Sequence, residues 1–252
     1  MAVYVICMLS WKKNIVKFYL LSVALSIILL LVGQYQFFIF SKIFILPSLM
    51  FLIFQCYQQS NHKLIPILLV STFFSFMGDV LIAIKVYEDL FKMISLSSFL
   101  VAQAGYAYMF FTSYQFNNDR QKISLKKRWP EFLSLILIVF FTISVTQEMG
   151  EFYVLGIIYG MIACVSMVLA LDRRFYVSFK SYLLVLLGLI LFYLSDILAG
   201  LDLELTDTFT HVGIILSFAF GHYLIVSGIF LQVKEDTKKT KASDSDASDA
   251  FL

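Results

Sequence analysis

Two aspartates stand in the middle of apolar runs. Residues 74–84 read FSFMGDVLIAI around Asp79, and residues 191–201 read LFYLSDILAGL around Asp196, 117 positions later. Both follow the order aromatic, apolar, small, aspartate, aliphatic, aliphatic. A charge at the centre of a membrane-spanning helix costs ~2.5–3.5 kcal/mol even on the lenient insertion scale, so function is the default reading of such a residue. Two carboxyls sharing one low-dielectric site titrate apart, one keeping its proton as an acid and the other ionising as a base. That division of labour suits hydrolysis through an oxocarbenium ion, in which an acid protonates the substrate and a carboxylate steadies the cation or guides water. The plainer alternative is an aspartate hydrogen-bonded to a neighbouring helix as a packing device.

Other chemistries find less support. The chain has no GxSxG elbow, Walker loop or HExxH pair. Its histidines are His62, His211 and His222. The last two lie eleven residues apart on one apolar run, ~16 Å along a helix, and His62 is expected at the cytoplasmic side. A three-histidine zinc site is therefore not expected, and no cofactor is called for. Cys7, Cys56 and Cys164 are an odd number on separate segments, which implies no disulfide framework.

The elements that must position these carboxyls are membrane helices. Of 252 residues 60% are hydrophobic and 14% charged, and the mean hydropathy is +0.87, outside the range of soluble domains. Eight runs approach the ~20 residues needed to cross a bilayer: 15–32, 37–57, 64–84, 93–114, 131–146, 152–171, 179–201 and 209–233. The reading is an all-α membrane protein of eight transmembrane helices, with a cytoplasmic N-terminus over 1–14, a transmembrane domain over 15–233 and a disordered cytoplasmic tail over 234–252. Residues 1–10 lack a preceding basic residue and are expected to be retained rather than cleaved. Basic residues mark the cytoplasmic side. With both ends inside, sixteen of the nineteen Lys and Arg fall there, leaving Lys42, Lys85 and Lys92 outside. The net charge of +2 follows from this sorting and carries no argument for nucleic acid. Multi-pass insertion, in a bacterial cytoplasmic membrane, is the expected setting.

An internal echo ties the aspartates to further residues. SFLVAQ from Ser98 and SFAFGH from Ser217 align, so Gln103 and His222 occupy matching places, 24 residues after Asp79 and 26 after Asp196. The simplest account is two parallel four-helix repeats. Asp79 lies sixteen residues after Lys63 and Asp196 sixteen after Lys180, which sets both ~24 Å from the inner boundary. They are expected to face one cavity in the outer half, with Gln103 and His222 deeper in it. Tyr106, one turn beyond Gln103, could orient a ligand or simply pack. Lys42 could bind a lipid phosphate or snorkel to the interface. Gly78 and Ser195, just before the aspartates, permit close helix approach, and Ser195 also offers a hydroxyl. With Ser195 and the His222 imidazole nearby, Asp196 is expected to be the ionised partner and Asp79 the acid.

Taken together, Gly78-Asp79, Gln103-Ala104-Gly105-Tyr106, Ser195-Asp196 and Gly221-His222-Tyr223-Leu224-Ile225 make the chain similar to the YhhN-like lysoplasmalogenases. That family is marked by a GD pair in the third helix, His-x-x-Tyr in the fourth, Ser-Asp in the seventh and Ala-Gln in the eighth. Lys42 stands where the family has a lysine opening its second helix, with the following proline displaced to Pro47. The similarity covers roughly residues 37–230. It departs at Gln103 and His222, where the family's histidine and glutamine have exchanged places. The resemblance implies hydrolysis of a lysoplasmalogen's vinyl ether to a fatty aldehyde and glycerophosphoethanolamine or glycerophosphocholine. Asp79 and Asp196 would be catalytic, and Lys42, Gln103, Tyr106, Ser195 and His222 substrate-binding. The expected partners are a lyso-phospholipid substrate and membrane lipid, with no nucleic acid. Two alternatives stand beside it: a proton-coupled transporter, and a non-catalytic lyso-lipid-binding protein.

Overall fold

The computed structural model describes residues 2–60, 62–82, 88–115, 128–201 and 208–249. They form eight long helices: α1 (Ala2–Leu31), α2 (Tyr35–Gln59), α3 (Leu64–Ile82), α4 (Glu88–Gln115), α5 (Trp129–Glu148), α6 (Tyr153–Asp172), α7 (Phe179–Leu201) and α8 (Thr208–Asp249). No strand occurs among the described residues, and all eight helices are long and apolar enough to cross a membrane. In hydrocarbon a chain must satisfy its backbone groups within each segment, which makes helices the available solution. Lys85, Arg120, Lys122, Lys126 and Lys127, which enter the orientation argument, lie outside the described residues.

The boundaries differ from expectation at both ends of the chain. α1 begins at Ala2, because the opening residues contain no Gly or Pro to break a helix that starts in the first span. At the other end α8 is helical to Asp249, so the stretch from Lys234 that was expected to be disordered continues the last span. Lys and Glu are good helix formers, and His62 Nε2 lies 3.6 Å from Asp236 Oδ2, tying the continuation to the start of α3.

Sequence neighbours pair as hairpins: α1 with α2, α3 with α4, α5 with α6 and α7 with α8, while α4 against α6 joins the halves. The α1–α2 turn is a Schellman motif. Gly33, at φ 76°, donates to Leu30 O and Gln34 N donates to Leu29 O, so the last carbonyls of α1 are capped by a left-handed residue. α7 and α8 approach through small residues, for a Cβ added to Gly188 would lie 2.7 Å from the Gly221 carbonyl oxygen. Polar ties cross between helices: Tyr19 hydroxyl to Ala219 O at 2.6 Å, Ser26 Oγ to Ser41 Oγ at 2.7 Å, and Ser95 Oγ to Gly78 O at 2.7 Å.

One charged knot ties the ends of α4 and α6 and the start of α7 to the body of α8. The fully buried Arg173, just after α6, donates to Ser113 Oγ (3.0 Å) and Gln232 Oε1 (2.9 Å) through one nitrogen and to Ser181 Oγ (3.1 Å) through another. Beside it Arg174 makes a two-pronged bond to Glu131 at 2.8 and 3.0 Å.

Candidate functional site

Asp79, one turn before the end of α3, is paired. Lys42 Nζ on α2 lies 2.8 Å from its Oδ1, with side chains only 13% and 16% exposed. The same ammonium sits 5.4 Å from the centre of the Phe38 ring. In this state the Lys42 ammonium is turned toward Asp79. Nothing in the run of residues around Asp79 shows which helix faces it, so this partner was not legible there.

Asp196 on α7 has a different partner. The Tyr159 hydroxyl, from α6, hydrogen-bonds to its Oδ2. Gln103 Nε2 on α4 donates to that same hydroxyl at 3.0 Å. An amide nitrogen can only donate, so the phenol accepts from Gln103 and spends its own hydrogen on Asp196. Gln103 Oε1 receives Ser166 Oγ at 3.4 Å and lies 3.3 Å from the Tyr193 hydroxyl. The fully buried Gln103 is thus held on both ends of its amide.

The two carboxyl pairs share one spacing. Lys42 precedes Asp79 by 37 residues, and Tyr159 precedes Asp196 by 37. Lys42 and Tyr159 consequently stand at the same offset as the two aspartates. Tyr159 escaped the sequence reading because one tyrosine among 14 carries little signal. Counting 117 residues on from Lys42 would have found it.

Between the pairs lies an aromatic core. His222 on α8 is fully buried against Phe218 (ring centres 4.4 Å), Phe192 (4.9 Å) and Tyr106 (6.2 Å). Its Nδ1 lies 2.9 Å from Phe218 O, and Nε2 has no hydrogen-bond partner among the described residues. It is within electrostatic reach of Asp79. Tyr106 is also fully buried, its hydroxyl beside Thr72 and Ser75 but without a well-formed hydrogen bond.

Several expectations are corrected here. Ser195 donates to Ile214 O at 3.1 Å, joining α7 to α8 instead of supporting Asp196. Gln103, through Tyr159, serves Asp196, and His222 makes no recorded hydrogen bond to either aspartate among the described residues. No hydrogen bond or ion pair recorded among the described residues joins Asp79 to Asp196. Two apolar grooves flank α2 and share Pro47 and Phe51, and neither is lined by an aspartate. No group of three or more His, Cys, Asp or Glu able to hold a metal occurs among the described residues.

Eight apolar helices enclosing two carboxyls define a multi-pass integral membrane protein with an intramembrane polar site. The model of the YhhN family matches residues 37–229, and the chain belongs to that family. No curated protein matches it, and neither does any solved structure. Membership is consistent with a hydrolase, and with lysoplasmalogenase activity among hydrolases.

Proposed function

We propose that the protein is a lysoplasmalogenase, hydrolysing the vinyl ether of a lysoplasmalogen to a fatty aldehyde and glycerophosphoethanolamine or glycerophosphocholine. Family membership supports this reading. The observation that carries the mechanism is the unlike pairing of the carboxyls: Asp79 has an ammonium partner, while Asp196 meets only a neutral phenol in a hydrogen bond. An adjacent cation compensates the ionised form of a carboxylate, and a neutral hydroxyl does so far less. Asp79 is then the carboxylate and Asp196 the acid, the reverse of the assignment drawn from Gly78 and Ser195.

A vinyl ether is cleaved by protonation at its β-carbon, and Asp196 supplies that proton. Tyr159 occupies Oδ2, leaving Oδ1 to carry the acidic hydrogen. The resulting oxocarbenium ion is steadied by Asp79 and captured by water. Only the glycerol backbone separates the vinyl ether from the phosphate of such a lipid. Lys42 can therefore pass from Asp79 to the phosphate when substrate arrives, uncovering the carboxylate as the cation forms. Membrane burial suits a single-chain lipid whose tail lies among helices. The equal 37-residue spacings support a duplicated four-helix unit, and the distribution of Lys and Arg supports cytoplasmic termini.

The test is to incubate purified protein with a lysoplasmalogen and with its saturated alkyl-ether analogue. Aldehyde from the first alone is expected. A proton-coupled transporter or a non-catalytic lipid-binding protein would release none from either.

A further inference from the structure

Hydrolysis consumes a water molecule, and three polar groups of the core are suited to hold it. His222 Nδ1 faces the carbonyl of Phe218 at 2.9 Å. A carbonyl can only accept, so Nδ1 carries the ring hydrogen and Nε2 presents a lone pair. That nitrogen is buried and has no partner among the described residues. The Tyr106 hydroxyl and Ser75 Oγ are buried side by side without a well-formed hydrogen bond to any described residue, which leaves capacity on both. Tyr106 links the other two, its ring 6.2 Å from that of His222 and its hydroxyl beside Ser75. Thr72, the remaining hydroxyl there, gives its hydrogen to Leu68 O at 2.8 Å.

Buried polar groups in native proteins are nearly always satisfied by protein or by ordered water, and a buried water makes about three hydrogen bonds. Two hydroxyls and one imidazole lone pair, from α3, α4 and α8, are a matching set. The set points to water rather than a metal or an anion: it contains no carboxylate, and it offers an acceptor that an anion would repel. Phe192 and Phe218 close the His222 side with apolar surface. Ser75 lies one turn before Asp79 on α3, which puts the set next to the carboxylate that steadies the cation.

We propose that Ser75, Tyr106 and His222 hold one water molecule beside Asp79, and that His222 Nε2 accepts its proton as it attacks. This rests on the hydrolase reading above. The balance closes over one turnover. Asp196 gives its proton to the β-carbon and becomes a carboxylate. The oxygen of the held water bonds to the oxocarbenium carbon while its proton passes to Nε2, giving a hemiacetal and an imidazolium. The hemiacetal hydroxyl then returns a proton to Asp196 as the carbonyl forms and the carbon–oxygen bond to glycerol breaks. The imidazolium protonates the departing glycerol oxygen. Aldehyde and alcohol leave, and both protein groups are restored.

Two measurements test this and separate it from the hydrolase reading. A high-resolution structure of the lipid-free wild-type protein should show a density peak within hydrogen-bond distance of Nε2, the Tyr106 hydroxyl and Ser75 Oγ. That observation needs no turnover. Its failure overturns the water site, whereas failure of the wild type to release aldehyde overturns the hydrolase reading instead. In kinetics, His222→Gln keeps a polar group but cannot take a proton, and turnover should fall about 100-fold with little change in KM. Tyr106→Phe, which removes one hydroxyl with little change of shape, should lower turnover about tenfold. Wild-type turnover in a folded His222→Gln protein would overturn the proton role. Unchanged turnover in Tyr106→Phe would remove the cradle.

Discussion

Replacing Lys42 by Met tests the ion pair at the centre of the site. The methionine keeps most of the stem and removes the ammonium, leaving the largely buried Asp79 without its partner. At the observed 2.8 Å separation, the Coulomb energy at an effective dielectric of 20 is about 6 kcal/mol, an upper bound. Side chains only 13% and 16% exposed leave little room for screening by solvent. Breaking a buried pair by removing one partner costs about 3–5 kcal/mol, because the remaining charge is stranded. For a chain of this size that corresponds to a fall in melting temperature of roughly 10 °C. The assay is thermal unfolding in detergent of wild type, Lys42→Met, Asp79→Asn and the double variant. The double variant should recover most of the loss, giving a coupling energy of about 2–3 kcal/mol. Its aldehyde release should stay abolished, since neither charge remains. If the two single losses simply add, the pair does not exist in the folded protein, and the assignment of Asp79 as the carboxylate falls with it.

Other parts of the structure give further expectations. Asp196→Asn should abolish aldehyde release with a melting temperature close to wild type, because an amide can still bond to Tyr159; near-normal release would remove Asp196 as the acid. Tyr159→Phe should cut turnover about 100-fold and leave KM nearly unchanged, and a purely structural role would instead show as a lower melting temperature with turnover intact. Gly188→Val brings a side chain against the Gly221 carbonyl and the Ile225 nitrogen at 2.7 and 2.8 Å; separating α7 from α8 should cost about 1–3 kcal/mol in unfolding. Arg173→Met should destabilise by about 1–3 kcal/mol through the loss of its bonds to Ser113, Ser181 and Gln232, and an unchanged unfolding curve would mean that the knot contributes nothing.

Helix number was legible because hydrocarbon thickness fixes a length that composition reveals. Helix ends were less so. Nothing in apolar composition distinguishes a helix that stops at the interface from one that continues, and both α1 and α8 run beyond their spans. At the site, residue types were legible and partnerships were not. Tyr106 and His222 share an aromatic core, Lys42 pairs with Asp79, and Gln103 reaches Asp196 through Tyr159. Which of them touch depends on how α2 meets α3 and how α4 meets α6, and side-chain type does not encode that. Ser195 shows the difference plainly. Adjacency to Asp196 in sequence suggested a donor to it, but consecutive helix residues point 100° apart, and its hydroxyl reaches α8.

The Arg173 knot has a consequence for how the protein is made. Ser113 precedes Arg173 in the chain, but Ser181 and Gln232 follow it, the last on α8. When α6 first leaves the ribosome and enters the bilayer, two of the three groups that will receive its guanidinium have not yet been inserted. At that stage only Ser113 of the three is present for the guanidinium. Only the arrival of the final helix completes the set. Completion of the knot thereby waits on the C-terminal span, and a chain truncated before α8 would keep α6 packed against α4 and α5 but leave Arg173 without its Gln232 acceptor.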